Sequence, residues 1–334
     1  MNWELFFTIL VIVVALGFDF TNGFHDAANA IATSVGTKAL RVRTALIMAA
    51  VCNFIGAFLG QEVAKTIQSI TTPPSGYSGL ALVAAALLGA ITWNMITWYF
   101  GLPSSSSHAL LGALVGAALV AGTTVKWDTI WTKVLIPMVT SPVAGLILAF
   151  LLMRLIVVIF RNRNPQKVGS GFRHAQTVSA AAMALGHGLQ DAQKTMGIIV
   201  LVLISMNFLP ADSAIPTWVV AASAGAISIG TAVGGKRIMR TLGRRVIDLD
   251  PARGFSAEAT AASVLYTTAY VFAAPVSTTQ VITGSIMGAG VEKRVKAVRW
   301  NVGVNIMWAW ILTLPMSAMS AAIYSWIIQL IFGY

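Results

Sequence analysis

Two aspartates embedded in apolar sequence carry the first chemical signal of this chain. Asp26 lies in NGFHDAANAIA and Asp191 in HGLQDAQKTMG. Three residues on stand Asn29 and Lys194, a spacing that puts each pair on one face of a helix. A carboxylate at membrane depth costs about 2.5–3.5 kcal/mol on insertion scales, so each needs a partner or a task. Glycines precede both, Gly23 in the first segment and Gly186 and Gly188 in the second. They predict that each helix unwinds there, and free carbonyls beside a carboxylate would make an oxygen site for a hard cation. For Asp191 and Lys194 a plainer reading stands alongside, a self-neutralising structural pair.

The second signal is also doubled. Pro103 is followed by SSSSHALLGALVG and Pro275 by VSTTQVITGSIMG, 77 residues after Asp26 and 84 after Asp191 respectively. Proline stops a helix, and the hydroxyls of Ser104–Ser107 or of Ser277, Thr278 and Thr279 open the next one. Free backbone N–H groups, a positive dipole end and hydroxyl donors together favour an anion. One such run is an ordinary helix cap. Two at matching places suggest a tetrahedral oxyanion held between opposed helix N-termini. The nearby carboxylates would repel it, and either an intervening cation or a proton resolves that conflict, so anion movement is expected to be ion-coupled. Gly112 and Gly116, matched by Gly284 and Gly288, are expected to serve close helix packing.

The elements that must position these residues are membrane helices. Hydrophobic residues make up 57% of the chain, charged residues 10%, and the mean hydropathy is +0.79. A water-soluble domain of this length needs more polar surface. Several apolar stretches are long enough for the roughly 20 residues of a spanning helix, while others are nearer 12 and suit half-helices or re-entrant segments. The formal charge of +11 does not indicate nucleic acid, because 18 of the 22 basic residues fall in four loop clusters, around Arg41, Arg161, Arg244 and Lys293. Such clusters mark cytoplasmic loops. The resulting topology has both termini outside and makes the Pro103 and Pro275 segments hairpins that enter from opposite sides without crossing. The expected architecture is an all-α integral membrane protein of two inverted-topology repeats, each with a broken helix and a Pro-centred re-entrant hairpin. Its boundaries are 1–160 and 177–334, joined by a short basic cytoplasmic linker, 161–176, with no soluble domain.

Cys52 is the sole cysteine, which removes disulfide frameworks and thiolate metal clusters. The N-terminus has no basic region before its apolar run and reads as a retained helix. Asp19 either assists a cation or makes a local cap. Glu258 has no acidic counterpart in the first half and marks either a coupling-ion site or an interfacial helix start. His25 and His108 fall within the motifs, with anion binding and proton transfer both open to them, whereas His174 is expected to be solvated. An intramembrane aspartyl protease would need Gly-x-Gly-Asp, which neither GFHD nor GLQD supplies, and a channel fits paired hairpins less well than alternating access. The expected class is therefore a transporter rather than an enzyme, with no resident cofactor.

At these motifs the chain resembles the inorganic phosphate transporter family, the Pit or PHO4-type permeases of bacterial type. The resemblance rests on NGFHDAANAIATSVGT, GHGLQDAQKTMGII, GLPSSSSHALLGA, GFSAE and APVSTTQ and runs from about residue 18 to residue 315. It implies inverted repeats, cation-coupled uptake of phosphate across the cell (inner or plasma) membrane, and a homodimer. The coupling cation would be sodium or a proton, and phosphate could travel as a divalent metal complex. The implied site comprises Asp26 and Asn29, Ser105, Ser106 and Ser107, Asp191, and Ser277, Thr278 and Thr279. Asp26, Asn29 and Asp191 are expected on the cation, and the hydroxyl residues, Asn29, Gln190 and Lys194 on the anion. Two positions depart from the family pattern. Gly188-Leu189-Gln190-Asp191 stands where Gly-Ser-Asn-Asp is usual, and His25 where many relatives carry Asn. Sulfate or another tetrahedral oxyanion is the alternative substrate; phosphate can donate a proton to Asp26 or Asp191, which sulfate at neutral pH cannot.

Overall fold

The computed structural model describes residues 3–234 and 236–332, which are helical apart from turns, loops and one isolated bridge between Thr71 and Val125. The side chains of Lys236 and Arg237, in the third basic cluster, lie outside the described residues. The first half contains α1 (Trp3–Gly36), α2 (Val42–Gly56), α3 (Glu62–Gln68), α4 (Tyr77–Phe100) and α5 (Ser106–Val120). A short α6 (Trp127–Thr129) then runs through a wider-wound stretch, Ile130–Leu135, into α7 (Ile136–Phe160). A turn over 161–164 leads to α8 (Pro165–Ser205), so the expected linker 161–176 holds that turn and the first turns of α8. Next come α9 (Thr217–Val233), α10 (Lys236–Arg240), α11 (Pro251–Tyr270), α12 (Thr278–Val291) and α13 (Trp300–Phe332).

Among the described helices, Trp3–Gly36, Tyr77–Phe100, Trp127–Phe160 and Trp300–Phe332 are long and apolar enough to cross a bilayer. Large apolar side chains point outward along them, with Val139 64% and Leu330 72% exposed, as befits a membrane protein whose outer solvent is lipid. α8 is different. Every residue from 186 to 203 is buried, so this stretch faces protein on all sides and can carry His187, Gln190, Asp191 and Lys194 without exposing them to lipid.

The expected breaks at Asp26 and Asp191 are not there. α1 is helical through Asp26 and α8 through Asp191. The glycines serve close approach instead. A Cβ on Gly23 would lie 2.3 Å from the Ile227 carbonyl oxygen of α9, and one on Gly188 would lie 2.2 Å from that of Asn53 on α2. Gly230 meets α1 and Gly56 meets α8 in the same way, each with 2.2 Å to a backbone oxygen. Each aspartate helix thus packs tightly on a helix of the other half, and neighbouring helices hold the backbone in place that the sequence suggested would open.

The proline segments do form hairpins. α4 ends at Gly101, whose positive φ of 66° closes the helix, and α5 returns along it. At the open end of this hairpin Lys126 N donates to Ile70 O at 3.0 Å, beside the Thr71–Val125 bridge. α11 and α12 form the second hairpin, whose open end is closed by Arg299 N donating to Val246 O at 2.9 Å. The turn of each hairpin touches chain near the open end of the other. Thr241 donates to Gly101 O, while Thr66 donates to Ala273 O and Lys133 to Phe272 O. The matched glycines pack as expected, Gly112 and Gly116 against α13 and Gly284 and Gly288 against α7. This seats both hairpins beside α1 and α8.

Candidate functional site

Asp26 stands where the two hairpin turns meet. Its Oδ2 accepts from Ser106 Oγ at 2.8 Å and its Oδ1 from Thr279 Oγ1 at 3.2 Å. One carboxylate thereby joins the first turns of α5 and α12, and His25 Nδ1 lies 2.7 Å from Oδ1. One turn along α1, Asn29 Nδ2 donates to Thr278 Oγ1 at 3.2 Å and to Thr279 Oγ1 at 2.8 Å. The two turns also touch directly, with Ser107 Oγ donating to Val276 O at 3.1 Å and Gln280 Nε2 lying 3.4 Å from His108 Nδ1.

Local sequence explains why the hairpin helices start there. Ser105 and Ser277 adopt extended backbone, and each Oγ accepts from the N–H three residues on, of His108 at 3.1 Å and Gln280 at 3.3 Å. These are matching N-caps. Around these caps the Ser106 and Thr279 hydroxyls are held by Asp26, that of Ser107 by Val276 O, and Thr278 Oγ1 accepts from Asn29, so all four gather where the two helix ends meet. Two positive dipole ends and these hydroxyls meet at one place, which is chemistry suited to an oxyanion.

Beside it on α8, Asp191 forms an ion pair with Lys194, and His187 Nε2 stands 3.1 Å from Asp191 Oδ2. Asn22 Nδ2 of α1 reaches the same Oδ2 at 3.5 Å. One oxygen each from Asp26 and Asp191 and a ring nitrogen of His187 lie within 4.8 Å of one another, a grouping able to hold a cation. Asn29 Oδ1 is buried and makes no hydrogen bond, so it too is open to a ligand. Gln190 turns elsewhere: its Nε2 donates to Thr268 Oγ1 at 3.0 Å and to Leu265 O at 3.2 Å, tying α8 to α11.

Asp26, Asn29, Asp191 and Lys194 are each at most 1% exposed, so the whole constellation is closed off from both water and lipid. The predicted residues therefore cluster, apart from Gln190. His187 and Asn22 join them without having been singled out by the sequence. Each stands four residues before a site aspartate and so on its helical face, whereas the motifs draw the eye to the residues that follow. For Glu258 the structure rules out one of the two expectations, the interfacial helix start. It is fully buried and accepts from Thr33, from Ser34 at 2.5 Å, Ser179 at 2.6 Å and Gln176 at 3.3 Å. It is no interfacial helix start, but a knot joining α1, α8 and α11. His174 is exposed, as expected.

Comparison with known proteins bears on the same residues. The family model described as PHO4, the phosphate transporter family, matches residues 22–171 and 160–321. A protein of Bacillus subtilis (strain 168) named as a probable low-affinity inorganic phosphate transporter is 45% identical over 99% of this chain and 100% of its own length. One of the same name from Rhizobium meliloti (strain 1021) is 45% identical over 97% of both chains. Among solved structures, one described as the sodium-dependent phosphate transporter superposes with a TM-score of 0.87 at 25% identity, covering 98% of this chain and 100% of that one.

Proposed function

This chain belongs to the phosphate transporter family, and we propose that it takes up inorganic phosphate across the cell membrane by coupling it to a cation, sodium or a proton. The observation that carries this reading is the position of Asp26, hydrogen-bonded at once to Ser106 of one hairpin and Thr279 of the other. Phosphate would lie between the two helix N-termini, held by N–H groups and by Ser105, Ser106, Ser107, Ser277, Thr278 and Thr279. Lys194 and Asn29 border that volume. To take the two hydroxyls, the anion must displace or neutralise the carboxylate that now accepts from them. A cation or proton at Asp26, with Asp191, His187 and Asn29 within reach, removes the repulsion and links the two fluxes.

Supporting an inverted arrangement is the way each hairpin turn meets chain beside the open end of the other. The closed site fits a transporter that opens to one side at a time. Orientation with both termini outside follows the loop charges, and homodimeric assembly follows the family resemblance. The test is uptake of radiolabelled phosphate into proteoliposomes under imposed sodium or proton gradients, with excess sulfate as competitor and Asp26→Asn as control. Uptake that requires one gradient, resists sulfate and disappears in the variant supports the reading. Accumulation of sulfate in place of phosphate, or gradient-independent accumulation, overturns it.

A further inference from the structure

Apart from Glu258 in its knot, one buried acid is left over by this mechanism. Asp19 is fully buried on α1, and neither of its carboxylate oxygens makes a hydrogen bond. The polar groups facing it are Thr195, Asn22, Asp191 and Lys194. Lys194 is already paired with Asp191. Thr195 Oγ1 and Asn22 Oδ1 are likewise buried without hydrogen-bond partners. Two unmet carboxylate oxygens thus stand with the Thr195 and Asn22 side chains facing them, and each unmet buried acceptor costs about 1–3 kcal/mol.

The spacing explains the convergence. Asp19, Asn22, Asp26, Asn29 and Thr33 recur along one face of α1, while His187, Asp191 and Thr195, four residues apart, share one stripe of α8. The contacts run antiparallel, Asn22 to Asp191 near one end and Thr33 with Ser179, through Glu258, toward the other. A polar seam results, with the anion site part-way along it. Asp19 lies seven residues before Asp26, about 10 Å along the helix at 1.5 Å per residue, so it lies outside the anion site.

We propose that Asp19, Asn22 and Thr195 form a second binding site, adjoining the Asp26 and Asp191 group through Asn22, for a monovalent, sodium-sized cation. One carboxylate with neutral amide and hydroxyl oxygens supplies a single negative charge and hard ligands. This suits sodium, and it falls short of the ligand number and charge that calcium requires. The Lys194 ammonium nearby further disfavours a divalent ion. By the loop charges this end of the seam is the outer one, so the site would load from outside. Its role in coupling rests on the symport reading, but its existence does not.

The experiment is binding of radioactive sodium to the purified full-length protein in nanodiscs without phosphate, for the unsubstituted chain, Asp19→Asn and Thr195→Val. Asp19→Asn is expected to bind one sodium fewer per chain, and Thr195→Val to retain the site with affinity weakened about tenfold or more. The second variant removes a single hydroxyl and keeps the test open should the first fail to fold. Sodium binding unchanged in number and affinity in both variants would overturn the proposal, as would its displacement by magnesium at equal concentration. Loss of sodium at Asp19 in a protein that does not carry phosphate would refute the symport reading alone. Sodium-driven phosphate uptake with unchanged binding in the variants would refute this site alone.

Discussion

On the proposed mechanism, Asp26→Asn should separate phosphate binding from cation binding. The Asp26 carboxylate holds Ser106 Oγ at 2.8 Å and Thr279 Oγ1 at 3.2 Å, so an anion using those hydroxyls comes within about 4–5 Å of it. Two unit charges at 4 Å repel by about 4 kcal/mol at an effective dielectric near 20. At about 1.4 kcal/mol per tenfold, that is up to roughly a thousandfold in phosphate affinity, and it is the most a neutralising cation at Asp26 can return. The asparagine variant removes the charge and nearly keeps the shape. Phosphate binding by the purified variant should therefore lose the share of its sodium dependence that Asp26 contributes, while gradient-driven accumulation in proteoliposomes falls to background. Binding would be followed by equilibrium dialysis of labelled phosphate across a sodium and pH series. If the variant retains the cation dependence of the unsubstituted protein, the carboxylate is not the coupling group and the reasoning fails.

Three further outcomes follow from the packing. Lys194→Ala leaves Asp191 as a buried carboxylate without its ion-pair partner, a loss of about 3–5 kcal/mol, and adding Asp191→Asn should recover most of it; thermal unfolding in detergent tests both, and a single variant as stable as the parent would contradict the pairing. Gly116→Leu puts a Cβ 2.1 Å from the Ala318 carbonyl oxygen and should destabilise by about 1–3 kcal/mol or more, whereas Gly17→Ala, with nothing within 4 Å, should be neutral in the same scan. Ser179→Ala removes a 2.6 Å hydrogen bond to Glu258 and should cost about 1.5–3 kcal/mol, and Glu258→Gln, which turns an amide N–H toward existing donors, should cost more and depress uptake; equal stability of both variants to the parent would show the knot is dispensable.

Much of this arrangement is legible in the doubled motifs of the sequence. Proline followed by hydroxyl residues is a local signal, and local signals survive folding: Ser105 and Ser277 cap their helices at the same offset. The small-residue faces of α5 and α12 are equally plain. A tertiary device is harder to read from its neighbours. Gly23 and Gly188 look locally like points of unwinding, yet their purpose lies in Ile227 and Asn53, about 204 residues and 135 residues away in sequence, and nothing in the adjoining residues announces those partners. Glu258 is ambiguous in the sequence for the same reason, because its four donors come from α1 and α8 and not from its own helix. Gln190 resembles a site residue by position; its Nε2 is taken up by α11 and by Ala274 O in the turn of the second hairpin, while its Oε1 is buried without a partner.

The two halves are alike in motif and unequal in charge, and that inequality bears on how a doubled set of motifs could run a directional process. Three residues after its aspartate the first half has Asn29 and the second has Lys194. In the second half the carboxylate therefore carries a fixed cation, paired within its own helix and one turn away. In the first, Asp26 has only dipolar donors and His25, so its charge remains to be met by something mobile. A resident ammonium cannot leave with the substrate, whereas a mobile cation can. Like motifs with one fixed and one exchangeable counter-charge leave Asp26 as the side on which ion flux and anion flux can be joined. Asp19, whose oxygens are unmet on the same helix, adds a second exchangeable charge to that side rather than to the other.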